Sequence, residues 1–286
     1  MYDFYSDTKT KPSNAMLEYA LGRSFGDEQK DEDPTTLELC ERVARLLGKE
    51  SAVFLPSGTM CNEIAIAVQT SPGDEILCDR SCHIINLEGG APAAMSGVMV
   101  HPLDGKYGQF TEKDIMQALR PKSRHMPISR MLCAEQTVNL GGGAVWPLEK
   151  LDSVAQVAKK SGLSTHLDGA RLLNACAKTG ISAARYSREY DSCWIDFTKG
   201  LGAPVGAVLA GSAEFIEAAW RVKQRIGGAM RQSGVIASFC LYALENNVER
   251  LAEDHILATK ISDSLEKFSG IVNILPVETN IIIADL

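Results

Sequence analysis

The sequence predicts an α/β protein with a mostly parallel central sheet and helices on both faces. Three observations lead there. Short apolar stretches alternate with amphipathic ones along most of the chain. The apolar stretches are strand-length and nearly free of polar residues, as strands covered on both faces are. Each is separated from the next by a segment of helical period, the connection that parallel neighbours require. At 286 residues the chain suffices for one large domain or two smaller ones.

The elements follow in order. "SAVFLPSG" gives a strand from Ala52 to Leu55 that stops at Pro56, and "TMCNEIAIAVQT" gives a helix with Ile64, Ala67 and Val68 on one face. "DEILCD" is a second short strand. "TEKDIMQAL" is a helix opened by Thr111 as N-cap, with Asp114 at the capping-box position where Glu or Gln is more usual. "SRMLCAEQT" is a strand, "PLEKLDSVAQVAKKSG" a helix from Pro147 to Gly162, and "STHLDGAR" a strand. "DSCWIDFT" and "AVLAG" are two more strands. Near residue 240 the texture changes to a long helical stretch, "SGVIASFCLYALENNVERLAEDHILATKISDSLEKF", then strand, turn and strand in "VNILPVETNIIIADL". The expected division is a large domain over residues 1–240 and the opening of a small α+β domain over 241–286. The chain stops at Leu286, directly after the strand Ile281 to Ala284, so the small domain is expected to be cut short.

Composition narrows the function. Hydrophobic residues make up 45% and charged residues 23%, as in a soluble globular protein. The net charge of -7 argues against a nucleic-acid surface, which needs a basic field, and against an anionic membrane as partner. No run of ~18 apolar residues suggests a membrane span. "MYDFYSDTKT" lacks the basic and apolar regions of a signal peptide. The eight cysteines form no CxxC pair, and Cys78 with Cys82 lacks a matching second pair, so no metal site is expected. They read as reduced, mostly buried thiols of a cytoplasmic protein.

Ligands in such sheets gather where strands deliver their C-terminal ends. Three groups sit there: Asp168 after "STHL", Lys199 after "WIDFT", and Ser57-Gly58-Thr59 between a strand and a helix. The helix start offers free N–H groups and a partial positive charge to an anion, with Gly58 letting the backbone come close. Simple helix capping by Ser57 explains the same residues. A lysine among Gly, Pro and Ala is partly desolvated, which lowers its pKa and frees the neutral amine. A phosphate site, a lysine and an acid together fit pyridoxal 5'-phosphate: the lysine forms the Schiff base and the carboxylate holds the ring nitrogen protonated. The competing reading is a solvated loop lysine, with Asp168 paired to Arg171. His83, in "RSCHIINLEGG", could stack on a flat heteroaromatic ring or be a satisfied structural histidine. His125, in the basic loop "RPKSRHMPISR", could transfer a proton near pH 7 or be merely exposed.

With these residues in hand, the chain resembles the low-specificity L-threonine aldolases, pyridoxal-phosphate enzymes of the aspartate-aminotransferase-like fold, fold type I. The motifs that carry it are "YSDTKT", "DEDPTT", "FLPSGTMCN", "HIINLEGG", "HLDGARLLNA", "FTKGLGAPVG" and "RIGGAMRQSG", in the family's order from residue 5 to 234, with "TNIIIADL" echoing the start of its C-terminal domain. The resemblance implies that Lys199 carries the cofactor, Asp168 pairs with the pyridinium nitrogen, Gly58 and Thr59 bind phosphate and His83 stacks on the ring. It implies that Arg171 and Ser6 hold the substrate carboxylate, that His125 lies near the β-hydroxyl, and that Lys223 and Arg231 approach the phosphate and a neighbouring subunit. It further implies a homotetramer, a dimer of dimers, that cleaves β-hydroxy-α-amino acids such as L-threonine and L-allo-threonine to glycine and an aldehyde. A β-eliminating lyase on the same fold, or an inactive shortened homologue, are the alternatives. Three departures stand out: Gln29-Lys30-Asp31 replaces the family's Tyr-Gly, "EQTVNLGGG" lacks its histidine, and an additional carboxylate-binding arginine falls beyond Leu286.

Overall fold

The computed structural model describes residues 3–268, 270 and 273–285. Val272 and Leu286, at the two ends of the expected terminal strand pair, lie outside the described residues.

Seven strands form the central sheet: β1 (Ser51–Leu55), β2 (Asp74–Asp79), β3 (Met99–Leu103), β4 (Ile128–Glu135), β5 (Ser164–Asp168), β6 (Ser192–Asp196) and β7 (Ala207–Gly211). Their order across the sheet is β1-β7-β6-β5-β4-β2-β3, and β7 alone runs against the others. The mostly parallel sheet is therefore as expected. β3 is an addition, because its "MVHPL" contains a proline and a histidine and lacks an apolar run. Proline is tolerated there because β3 is an edge strand.

Helices α1 (Asn14–Leu21) and α2 (Pro34–Leu47) precede the sheet; α3 (Gly58–Gln69) leaves β1; α4 (His83–Asn86) and α5 (Ala91–Ser96) follow β2. Next come α6 (Glu112–Ala118) before β4, α7 (Leu148–Lys160) before β5, and α8 (Leu172–Thr179) with α9 (Ala183–Ser187) before β6. Thr111 and Asp114 do form the reciprocal capping box of α6. After β7 come α10 (Ala213–Arg225), α11 (Gly234–Asn246) and α12 (Leu251–Leu265), then a short antiparallel pair, β8 (Asn273–Ile274) and β9 (Ala284–Asp285). The terminal strands are thus shorter than the sequence suggested.

The long helical stretch is two helices, and the boundary expected at residue 240 falls inside α11. That helix packs on α1 and α2, so it belongs with the large unit. The closing segment leans on the same unit: Thr279 Oγ1 donates to Gly143 O (2.7 Å) and Glu278 Oε2 accepts from Val145 N (3.0 Å).

Of all the helices, α3 bears most directly on the ligand edge. It packs on the sheet and is flanked by α5 and α10, and Cys61 to Ile66 are all buried. A helix enclosed this way hides polar side chains along with apolar ones, and here it hides Asn62 and Glu63.

Candidate active site

The C-terminal edge of the sheet brings together most of the candidate residues. β5 ends in Asp168 and the neighbouring β6 ends in Asp196, three residues before Lys199. Trp194 links the two. Its ring centroid lies 5.8 Å from Lys199 Nζ, and its Nε1 donates to Asn62 Oδ1 (2.7 Å). Asn62 Nδ2 in turn donates to Asp168 Oδ2 (2.8 Å) and to Glu88 Oε1 (2.7 Å). Asn62 Oδ1 also accepts from His166 Nε2 (3.1 Å), and His166 Nδ1 accepts from Ser192 Oγ (2.7 Å). Burial pushes His166 down to about 3, so it is neutral and suits this Nε2–H arrangement.

Asp168 is fully enclosed, and burial pushes its carboxyl up to about 6. It pairs with Asn62 and with Ala170 N (3.1 Å), and not with Arg171. A buried carboxylate held by neutral donors alone still lacks a cationic partner. Lys199 departs from the expectation of an amine surrounded by apolar groups. Its Nζ is paired with the Asp196 carboxylate, whose Oδ1 accepts from Thr198 N (2.8 Å) and Thr198 Oγ1 (2.7 Å).

At the start of α3, Ser57 Oγ accepts from Met60 N (3.2 Å), so this hydroxyl serves as the helix cap. Gly58 N–H and Thr59 N–H have no protein partner among the described residues. The absent Gly58 side chain makes room for Trp194: a Cβ there would lie 2.2 Å from Trp194 Cη2.

His83 opens α4. Its N–H donates to Glu135 Oε2 (2.9 Å) and its Nδ1 bonds to Glu88 Oε1 (2.7 Å). Because the carboxylate accepts, Nδ1 carries the proton and Nε2, which has no partner among the described residues, is left as an acceptor. Burial alone would lower the imidazole's pKa, but the Glu88 hydrogen bond and the Asp168 charge outweigh it and raise it.

Arg171 is buried and gripped by Asp7, with Nε donating to Oδ2 (2.8 Å) and Nη2 to Oδ1 (2.7 Å). Burial would raise the Asp7 carboxyl, yet Arg171 holds it below its ordinary value. Arg171 Nη1 keeps only a long bond to Asn139 Oδ1 (3.3 Å). Ser6 Oγ accepts from Thr8 N (3.2 Å) and caps the turn that presents Asp7. Ser6, Asp7, Arg171, Asn139 and Asn280 line one cavity of about 450 Å³, walled on its other side by Leu257, Ala258, Ile261 and Ile281. Thr10 Oγ1 donates to Lys199 O (2.8 Å) and ties this N-terminal segment to the lysine.

His125 does not join the cluster. It is exposed in the turn that enters β4, where its N–H donates to Ser123 Oγ (3.2 Å). The eight residues of β4 separate that turn from the site edge, roughly 26 Å at about 3.3 Å per residue. Within one chain it cannot reach the chemistry expected of it. Lys223 is likewise committed elsewhere, buried in an ion pair with Glu28 (2.8 Å), and Arg231 bonds Asp27.

Sequence reasoning passed over Asn62, Glu88, Trp194, Asp196 and Asp7. All lie inside stretches that were already conspicuous, "FLPSGTMCN", "HIINLEGG", "WIDFT" and "YSDTKT", but no local pattern set these residues apart from their neighbours.

A lysine and a buried acid on neighbouring strand ends, facing an open helix start, define a pyridoxal-phosphate enzyme of fold type I. The donor set fits that cofactor: free N–H groups for its phosphate, a buried acid short of a cation for its ring nitrogen, and a lysine for its aldehyde. The chain belongs to the beta-eliminating lyase family, whose model matches residues 3–286, and that family is pyridoxal-phosphate-dependent. It is 39% identical to the low-specificity L-threonine aldolase 1 of Arabidopsis thaliana over 99% of this chain and 81% of that one. It is 36% identical to the low specificity L-threonine aldolase of Escherichia coli strain K12, over 93% and 80%. Among solved structures, a putative L-allo-threonine aldolase from Listeria monocytogenes EGD-E matches with a TM-score of 0.80 at 25% identity, over 98% of this chain and 79% of that one. A Leishmania major threonine aldolase matches in fold with a TM-score of 0.87 at 23% identity, over 99% and 84%.

Proposed function

We propose that the protein cleaves the Cα–Cβ bond of L-threonine, L-allo-threonine and related β-hydroxy-α-amino acids, yielding glycine and an aldehyde. The juxtaposition of Lys199 and buried Asp168 across Trp194 carries this reading, and the names of the relatives support it. Bound there, pyridoxal phosphate supplies an electron-poor ring that takes up the electron pair left at Cα.

The residues divide the remaining work. Lys199 Nζ would hold the cofactor covalently, and Asp196 is its ion-pair partner in the free chain. Asp168, once ionised, would pair with the protonated ring nitrogen, and Asn62 Nδ2 donates to its carboxylate and keeps it aimed. Gly58 and Thr59 N–H groups take the phosphate at the positive end of α3. Arg171 and Ser6 would bind the substrate carboxylate on the cavity side and so fix how the substrate is presented. His83 Nε2 accepts the β-hydroxyl proton, taking the part first given to His125. We further read the assembly as a homotetramer in the cytoplasm. The exposed Leu17, Leu21, Phe25 and Leu37 support contact between subunits, and eight free thiols support a reducing compartment.

The test is to load the protein with pyridoxal phosphate, add L-threonine and identify the products. Acetaldehyde and glycine are expected, and Lys199→Ala should lose both the visible band of the bound cofactor and turnover. Ammonia and a keto acid in place of glycine, or an unimpaired Lys199→Ala variant, would contradict the assignment.

A further inference from the structure

One group beside the site takes no part in that chemistry. Glu63, next to Asn62 on α3, is 2% exposed, and neither of its carboxyl oxygens meets a donor among the described residues. Its carboxyl lies within hydrogen-bonding reach of Glu88. Glu88 Oε1 accepts from both Asn62 Nδ2 and His83 Nδ1, at 2.7 Å each, but Glu88 Oε2 is buried with no donor. Three buried carboxyl oxygens of this neighbouring pair thus have no donor among the described residues. Buried acceptors left unpaired are costly, and two adjacent carboxylates cannot both ionise cheaply. One proton resolves both problems, because it converts an oxygen of Glu63 into a donor for Glu88 Oε2.

We propose that Glu63 is a proton-holding positioning residue, which in its neutral form donates to Glu88 Oε2 and so locks the carboxylate that sets the tautomer and orientation of His83. The proposal rests on the reading of His83 as the group that meets cofactor and substrate. Glu88 bears the single negative charge of the pair, held by three donors: Asn62, His83 and Glu63. Burial first, and then the Glu88 charge, push the Glu63 carboxyl up to about 8. Other groups that can titrate come from the elements around α3. They are Cys133 and Glu135 on β4, His166 and Asp168 on β5, Cys193 and Asp196 on β6 with Lys199 just past it, Cys82 before α4, and Lys223 on α10, besides Cys61 on α3 itself. His166 is neutral, Lys199 is matched by Asp196, and Lys223 by Glu28. α5, β1 and β7 bring no titratable side chain. Loss of the Glu63 proton would set a second negative charge against Glu88, undo the lock and favour a protonated His83, which cannot accept a proton at Nε2.

The experiment is an NMR titration of the full chain loaded with pyridoxal phosphate, using ¹³C in the glutamate carboxyls and ¹⁵N in the histidine rings. Glu63 is assigned by the resonance that Glu63→Gln removes. The Glu63 carboxyl should inflect near pH 8, far above the ordinary 4.5, with a step in the His83 ring resonances at the same pH. Glu63→Gln should abolish that step yet keep the His83 Nδ1–H bond, since an amide still donates to Glu88. A Glu63 carboxyl that titrates below pH 6, or His83 ring resonances whose whole pH profile, beyond the imidazole's own titration, is unchanged by Glu63→Gln, overturns the proposal. The same titration without cofactor, together with the product assay, keeps the two readings apart. A chain that releases no aldehyde but shows the coupled step retains this lock, and one that releases aldehyde with an ordinary Glu63 does not have it.

Discussion

Asn62 is the hub of the candidate site, and Asn62→Asp tests that directly, because it keeps the side chain's shape and removes its two N–H donors. Those donors serve two buried carboxylates, Asp168 and Glu88. A new carboxyl between two acids would remain protonated, and its single O–H can serve only one of them. One hydrogen bond is therefore lost, worth about 0.5–1.5 kcal/mol where Asp168 is neutral and about 1.5–3 kcal/mol once it is ionised above about pH 6. A second cost depends on pH. The introduced carboxyl has a folded pKa raised above its unfolded value of about 3.9, so folding is opposed increasingly as pH rises between the two, by about 1.4 kcal/mol per unit. At pH 5, where Asp168 is mostly neutral, the two costs together come to about 2–3 kcal/mol. Urea unfolding of parent and variant at pH 5, 6 and 7, with equal m-values, should show a gap of that size that widens with each unit. A gap below about 1 kcal/mol, or one that is constant with pH, would show that the Asn62 amide is not what holds Asp168 and Glu88 in place.

Two other consequences are open to measurement. Gly58→Ala places a Cβ 2.2 Å from Trp194 Cη2. Because Trp194 is anchored through Asn62, the variant should lose about 1–3 kcal/mol of stability along with cofactor affinity. A urea midpoint equal to the parent's would refute the close approach. The raised pKa of Asp168 also has a sign. The folded, cofactor-free chain holds that proton more tightly than the unfolded chain, so stability should fall as pH rises from about 4 to about 6. Asp168→Asn should flatten that slope. Cofactor binding requires the ionised form, so affinity measured by visible absorbance should drop below pH 6, and affinity flat from pH 5 to 8 would count against the role given to Asp168.

The local signals were legible because they are local. An apolar run bounded by turn residues names a strand wherever it sits, and the residue that ends it faces the ligand edge. Asp168, Lys199 and the Ser57-Gly58-Thr59 helix start could thus be read from the chain, as could the capping box of Thr111 and Asp114. The motif resemblance then joined them to one cofactor. It also carried over His125 by identity alone, with nothing to say that the residue enters β4 at the edge opposite the site.

What tertiary structure alone decided is who meets whom. Asp7 takes Arg171 across 164 positions, and Asn62 reaches Asp168 across 106. Periodicity marks which side of a helix is apolar, but it cannot mark a helix enclosed by sheet and helices, where Asn62 and Glu63 look like an ordinary polar face. The same holds for Lys199, whose flanking residues are small and apolar while its partner, Asp196, lies one turn back. Composition and pattern determine the elements and their ligand-facing ends. The charge state and aim of each side chain there depend on the burial and hydrogen-bond partners that packing brings, and packing is a property of the whole chain.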